Sequence, residues 1–166
     1  MDGESRTGEP LGAAHLQRRP AHDADRFWLD DLRRAVYRDL FDATWGGWDE
    51  ARHRRHFSSC WERGGIEVLL AEGQPIGMLQ IEIRADAVEL VELQIQPAQQ
   101  GIGWGTRVVR ELQERARREG RRLVLGTGLH NLGAQRLYLR LGFRETSRSA
   151  THVHLEWRAP AAPPLT

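Results

Sequence analysis

The segment Ile95-Gln-Pro-Ala-Gln-Gln-Gly-Ile-Gly-Trp-Gly-Thr106 constrains this chain more than any other. A largely apolar run, Val88 to Ile95, leads into it, and an amphipathic helical pattern follows it. A strand therefore ends, a loop with glycine at every second position crosses over, and a helix begins. Glycines 101, 103 and 105 leave backbone N–H groups unshielded by side chains. With the positive end of the helix, those groups form a concave anion site suited to a pyrophosphate.

Spacing sets two other glycine loops aside. A P-loop needs Gly-Lys-Ser/Thr, whereas Gly105 is followed by Thr106 and Arg107. The dinucleotide fingerprint places its third glycine three residues after the second, and this chain has Thr106 there. That fingerprint also wants an acidic residue at the end of the next strand, where Arg122–Leu125 runs into Gly126. On the glycine pattern alone, a plain flexible turn before a helix stays open.

The surrounding pattern alternates short strands with helices. Leu16–Arg19 reads as a first strand. His22-Asp-Ala-Asp25 starts a helix, with acids at its positive end. Trp28, Leu32, Val36 and Leu40 give that helix one apolar stripe, and Trp45-Gly-Gly-Trp48 breaks it. Asp49 and Glu50 open a second helix toward Trp61. Residues 66–71 and 75–83 read as a hairpin, followed by the strand 88–95. The helix after the glycine loop puts Val108, Val109, Leu112 and Ala116 on one face and ends near Gly120. A strand at 122–126, a helix at 132–141 and a closing hairpin at 143–146 and 151–157 complete the order. Residues 1–12 and 159–166 are expected to be disordered tails around one domain, 13–158.

Three ordered motifs carry a family resemblance. Gln100-Gly-Ile-Gly-Trp-Gly105 resembles the Gln/Arg-x-x-Gly-x-Gly/Ala signature of the GNAT superfamily, the acyl-CoA-dependent N-acyltransferases. Ile95-Gln-Pro97 is similar to that family's apolar-x-Pro strand end. His130-Asn-Leu-Gly-Ala-Gln-Arg-Leu-Tyr-Leu-Arg-Leu-Gly-Phe143 resembles its Asn-x-x-Ala-x-x-Leu-Tyr-x-x-x-Gly-Phe segment. The resemblance implies an α/β (α+β) fold: a mixed, mostly antiparallel sheet with splayed central strands, flanked by helices on both faces. It also implies acetyl-CoA as co-substrate and N-acetyl transfer by direct attack in a ternary complex.

The same resemblance assigns site residues. The cofactor is expected at the main chain of Leu93, Gln94 and Ile95, at the loop Gln100, Gly101, Ile102, Gly103, Trp104, Gly105 and Thr106, and at Asn131. Asn131 is equally placed to cap its helix. Tyr138 is the expected general acid, since a phenol is protonated at pH 7 and can donate to a departing thiolate; it would also fit an apolar helix face with Ala134, Leu137 and Leu141. Glu89 is the expected base, because members using a strand glutamate place it at that position. Glu92 ranks second, and strict alternation would put the two on opposite faces. Trp45 and Trp48 are expected to wall the acceptor pocket.

Other features bound the function. Net charge is only +1, which argues against nucleic-acid binding. No apolar run approaches the length of a membrane span. Met1-Asp-Gly-Glu-Ser lacks a secretory start, and the single cysteine, Cys60, fits a reducing cytoplasm and a buried structural thiol. Arg52-His-Arg-Arg-His56 reads as a solvated helix face. His152 and His154 read as exposed strand residues, so no metal is expected. A small-molecule amine is the expected acceptor. A protein or peptide N-terminus, or a non-catalytic acyl-CoA-binding module, is the alternative. Family members are often dimers, so a homodimer is among the expected partners.

Overall fold

A computed structural model describes residues 15–165. The tail expected at 1–12 and the first two residues of the expected domain lie outside them. Residues 158–165 carry neither helix nor strand.

The order is β1 (Leu16–Pro20), α1 (Arg26–Trp45), α2 (Glu50–Arg63), β2 (Ile66–Ala71), β3 (Gln74–Ile83), β4 (Ala87–Ile95), α3 (Trp104–Arg118), β5 (Arg122–Gly128), α4 (Leu132–Arg140), β6 (Arg144–Arg148) and β7 (His152–Trp157). Every expected element forms, with ends moved by a few residues. The strands make one sheet in the order β1-β2-β3-β4-β5-β7-β6. β4 and β5 are its parallel pair; the other neighbours run antiparallel.

Both faces of the sheet are covered. On one, the stripe Val108, Val109, Leu112 and Ala116 of α3 packs with Leu79, Val88, Leu90 and Leu123, and α4 adds Tyr138 and Leu137. On the other, Leu29 and Leu32 of α1 and Phe57 of α2 pack on Ile66 and Met78. Local chemistry sets the ends. Asp49 accepts the Arg52 amide at 3.0 Å and caps α2. Gly46, with φ 75°, turns the chain out of α1 in a left-handed conformation.

Two irregularities position the functional groups. First, the β3–β4 register passes from Gln80↔Glu92 to Ile81↔Leu90, so Val91 is an extra, bulged residue. The bulge reverses the alternation along β4. Second, β4 pairs with β5 only from Ala87↔Arg122 to Leu90↔Leu125. Beyond that point the strands part, and β4 continues to Ile95 while β5 continues to Gly128. The splay expected from the family resemblance is therefore present.

Candidate active site

The chain leaves β4, makes a short 3-10 turn at Pro97–Gln99 and enters α3 through Gly103. Gly101 and Gly103 have φ of 76° and 105°, a region that side-chain-bearing residues avoid. The Gln100 amide donates to the Ile95 carbonyl at 2.8 Å and clamps the loop over the strand end. Trp104 turns inward, is nearly fully buried, and donates through its indole N–H to Gln99 Oε1 at 3.2 Å. The first intrahelical bond runs from the Arg107 amide to the Gly103 carbonyl, so the amides before it point out of the helix end. Arg140, at the end of α4, donates to Thr106 Oγ1 at 3.2 Å and brings a cation to the same rim.

A cleft of about 650 Å³ runs from this loop along Leu93 and Ile95 of β4, between Tyr37 of α1 and Tyr138 of α4. Of the residues expected there, Leu93, Ile95, Gln100, Gly101, Gly103, Trp104, Gly105, Thr106, Asn131 and Tyr138 line it. Two do not. Ile102 is half exposed and lies outside the cleft, and the Gln94 side chain turns to the opposite face, where it donates to Glu92 at 3.2 Å. Asn131 caps α4 by accepting the Ala134 amide at 3.2 Å. Tyr138 is almost fully buried beside Phe143, with ring centroids 5.4 Å apart. Burial, followed by the negative charge of Glu92, raises its pKa, so the phenol stays protonated.

A second pocket of about 270 Å³ shares Tyr37 and Asn131 with the cleft and contains Glu92, His56, Arg33, Trp45 and His152. Glu92 is 8% exposed and heavily bonded. His56 Nε2 lies 2.5 Å from its Oε1, and Tyr37 donates to its Oε2 at 3.2 Å. Burial alone would push the Glu92 carboxyl up, but the bond and charge of His56, with Gln94 and Arg33, outweigh burial and lower its pKa. It is a buried carboxylate held ionised. Arg33 is buried against the rings of Tyr37 and Phe41 and donates to His53 Nδ1 at 2.9 Å. His53 reaches Asp30 at 2.5 Å through its other nitrogen, which fixes α2 against α1.

Glu89 occupies neither cavity. It lies at the far end of β4, opposite Glu82, and is ion-paired with Arg84. The expected base therefore lies outside both cavities, and Glu92 is the glutamate that lines one of them. The expectation that the two face opposite sides also fails, because it assumed an unbroken strand. Trp45 lines the second pocket beneath the Arg52 guanidinium, 4.2 Å from its ring centroid. Trp48 does not line it: its ring packs 4.4 Å from Phe41 and 5.2 Å from His53, and its indole N–H donates to Glu50 at 2.7 Å. Trp48 is a packing anchor. His56 and His152, read from sequence as surface residues, both open into the pocket. A sequence signal existed for the helical groups: Arg33, Tyr37 and Phe41 recur at i+4, as do His56 and Cys60.

The arrangement has three chemical capacities. Open amides and an arginine suit a phosphate-bearing ligand, a buried phenol can donate a proton, and an ionised carboxylate backed by imidazole can accept one. Residues 27–143 match the family model described as the acetyltransferase (GNAT) family. An uncharacterized N-acetyltransferase of Methanocaldococcus jannaschii is 27% identical over 133 residues; the match takes in 70% of this chain and 57% of that protein's length. Among solved structures, the PaiA N-acetyltransferase of Thermoplasma acidophilum in complex with coenzyme A superposes with a TM-score of 0.67 at 16% identity, covering 87% of this chain and 99% of that one. Arabidopsis thaliana Naa50 with the bisubstrate analogue CoA-Ac-MVNAL gives 0.62 at 11% identity, covering 87% and 99%. YncA of Salmonella typhimurium with acetyl-CoA, called a putative acetyltransferase, gives 0.57 at 21% identity, covering 90% and 97%. At such identities the structural likeness speaks for the fold.

Proposed function

The chain belongs to the GNAT acetyltransferase family, and from that premise we propose that it is an acetyl-CoA-dependent N-acetyltransferase acting on a primary amine. The observation that carries the reading is the opening between β4 and β5, where the loop-side cleft and the Glu92 pocket meet across Tyr37 and Asn131. Two ligands entering from opposite ends would meet at that opening, as direct transfer in a ternary complex requires.

The residues fit the cofactor. The loop 100–106 and the first turn of α3 would hold the pyrophosphate through backbone amides. The edge of β4 beyond Leu90, which β5 no longer pairs, offers main-chain donors and acceptors to an extended pantetheine arm. When bound, acetyl-CoA supplies the acetyl group as a thioester. The chain's own side chains then have separate tasks. Glu92 attracts the ammonium form of the acceptor and takes a proton from it, with His56 connecting that carboxylate to solvent. Tyr37 holds the second oxygen of Glu92 in place. Tyr138 donates to the departing sulfur. The acceptor is a small amine, a reading supported by the modest volume of the Glu92 pocket and by its Trp45 wall.

The test is free-thiol release from acetyl-CoA against a panel of small amines and N-terminal peptides. Release with no acceptor on the panel would sink the transferase reading. A kcat/KM for peptides above that for every amine would reassign the acceptor to a polypeptide N-terminus.

A further inference from the structure

The proposed mechanism uses Glu92 and His56 and leaves the thiol beside them without a task. Cys60 follows His56 by one turn of α2, so both side chains leave the same helix face. Cys60 Sγ lies 3.4 Å from His56 Nε2 and 3.8 Å from Glu92 Oε1, and His56 Nε2 is 2.5 Å from that same oxygen. Gln80, almost fully buried on β3, donates to the carbonyls of Cys60 and Gly64 at 2.8 Å each and fixes this end of α2 over the sheet.

A thiol, an imidazole and a carboxylate in contact suit two chemistries. A nucleophilic cysteine needs the thiol on one ring nitrogen and the orienting carboxylate on the other. Here both partners meet Nε2, so the ring cannot relay a proton between them. Burial and the charge of Glu92 also push the Cys60 thiol up to about 12, the reverse of an activated nucleophile. A cation needs the other arrangement, with donor atoms converging on one point. From ordinary zinc–ligand lengths, the S–N and S–O edges of a tetrahedral site are about 3.5 Å and the N–O edge about 3.3 Å. The two sulfur edges already lie within a few tenths of an ångström of those lengths. The His56–Glu92 edge has to open by about 0.8 Å to admit the ion.

We propose that His56 Nε2, Cys60 Sγ and Glu92 Oε1 form a Zn²⁺ site and that zinc held there blocks acetyl transfer. Binding releases the thiol proton to solvent, and the resulting thiolate and carboxylate carry two negative charges against the two positive charges of the ion. The thiolate and imidazole select zinc over magnesium or calcium, which prefer all-oxygen sites. The fourth position opens toward the pocket that His56 and Glu92 line, giving an entry path and room for water. The metal site stands on its own geometry; the inhibition rests on Glu92 being the base of the proposed reaction.

The experiment uses the full chain, with Zn²⁺ binding followed by calorimetry and Co²⁺ binding by absorption. One ion per chain and a thiolate-to-cobalt charge-transfer band are expected. Cys60→Ala should lose the band and weaken zinc by more than about 100-fold, since even outer-shell changes at zinc sites cost about 10- to 100-fold. Without zinc, that variant should turn over acetyl-CoA like the wild type, and it should resist zinc. Cys60→Ser serves as a second variant if the alanine protein is poorly folded. Zinc affinity unchanged in both variants, or a cobalt complex without the thiolate band, overturns the site. A cobalt complex with that band, and zinc bound at the same stoichiometry while acetyl transfer continues at full rate, overturn the inhibition, and the role of Glu92 with it. Should no acceptor support transfer, the binding and absorption arms still decide the site.

Discussion

Glu89 and Glu92 project from the same face of β4, although simple alternation would place them on opposite faces. Glu89 pairs with Glu82 and Glu92 with Gln80, and both β3 partners face α2: Glu82 is ion-paired with Arg63, and Gln80 donates to Cys60 and Gly64. The bulge at Val91 supplies the extra half-turn of the chain. What separates the two acids is distance along the strand. One is ion-paired with Arg84 near the strand start, and the other is buried where the strands part.

Glu92→Gln should therefore lower kcat by about 100- to 10,000-fold, the usual contribution of a positioned base. Glu89→Gln should leave kcat near the wild-type value. The Glu92→Gln deficit should narrow as pH rises toward the amine's own pKa, because free amine then needs no base. Steady-state kinetics of both variants across pH provide the check; equal losses in both would remove the assignment.

Tyr138→Phe keeps the contact with Phe143 and deletes the hydroxyl. A kcat loss of about 100-fold with little change in acetyl-CoA affinity is expected of a proton donor to sulfur. An unaltered kcat would leave Tyr138 as a core residue only.

Gly105→Glu tests the anion site without a backbone penalty. A Cβ at this helical position would meet Leu137 at 3.5 Å, an ordinary contact. A carboxylate in the first turn also suits the helix dipole. The fold should survive, while acetyl-CoA affinity falls by about 10- to 100-fold, or about 1.4 to 2.8 kcal/mol. Calorimetry reads the affinity and circular dichroism the fold.

The two tryptophans should separate cleanly. Trp45→Ala should raise KM for the amine at nearly constant acetyl-CoA affinity, because its ring forms the pocket wall under Arg52. Trp48→Ala should instead lower stability, by about 2 kcal/mol or more, through lost packing on Phe41 and His53. Kinetics and thermal melts distinguish the two, and a KM effect confined to Trp48→Ala would reverse the assignment.

Acid should loosen the start of the fold. Arg19 on β1 holds Asp25 through two hydrogen bonds, 2.7 and 2.9 Å long, and that pairing lowers the Asp25 pKa to about 2. A depressed carboxylate stabilises the folded state above its unfolded pKa of about 3.9, and the contribution disappears as pH falls toward about 2. Because the pair is partly solvated, its worth is about 1 kcal/mol or less. Asp25→Asn should flatten that part of the stability–pH curve in urea titrations; a slope identical to wild type would refute the linkage.

Much of the fold was legible because local signals agreed. The α3 stripe, the positive-φ glycines and the Asp49 cap each read directly from residue type and period. The cofactor loop was legible for the same reason, being one continuous segment. The acceptor side was not. Val91 sits in an apolar run where nothing marks a bulge, so the face of Glu92 could not be assigned by counting. His56 and Tyr37 approach Glu92 from separate helices, and the i+4 spacing of each to its own helix neighbours, Cys60 and Arg33, reads equally well as surface. Trp48 sits beside Trp45 in sequence, yet the turn at Gly46 sends its ring behind Phe41.

The short β4–β5 ladder divides the sheet into two leaves, β1 to β4 and β5 to β6, stitched along one end only. A ligand lying in the seam would take the place of the absent stitches, bonding to the free edge of β4 while packing against α4 on the other leaf. Occupancy and cohesion then become one quantity. A cofactor bound there would complete a sheet that the polypeptide leaves unfinished, and would add to stability with the logarithm of its concentration.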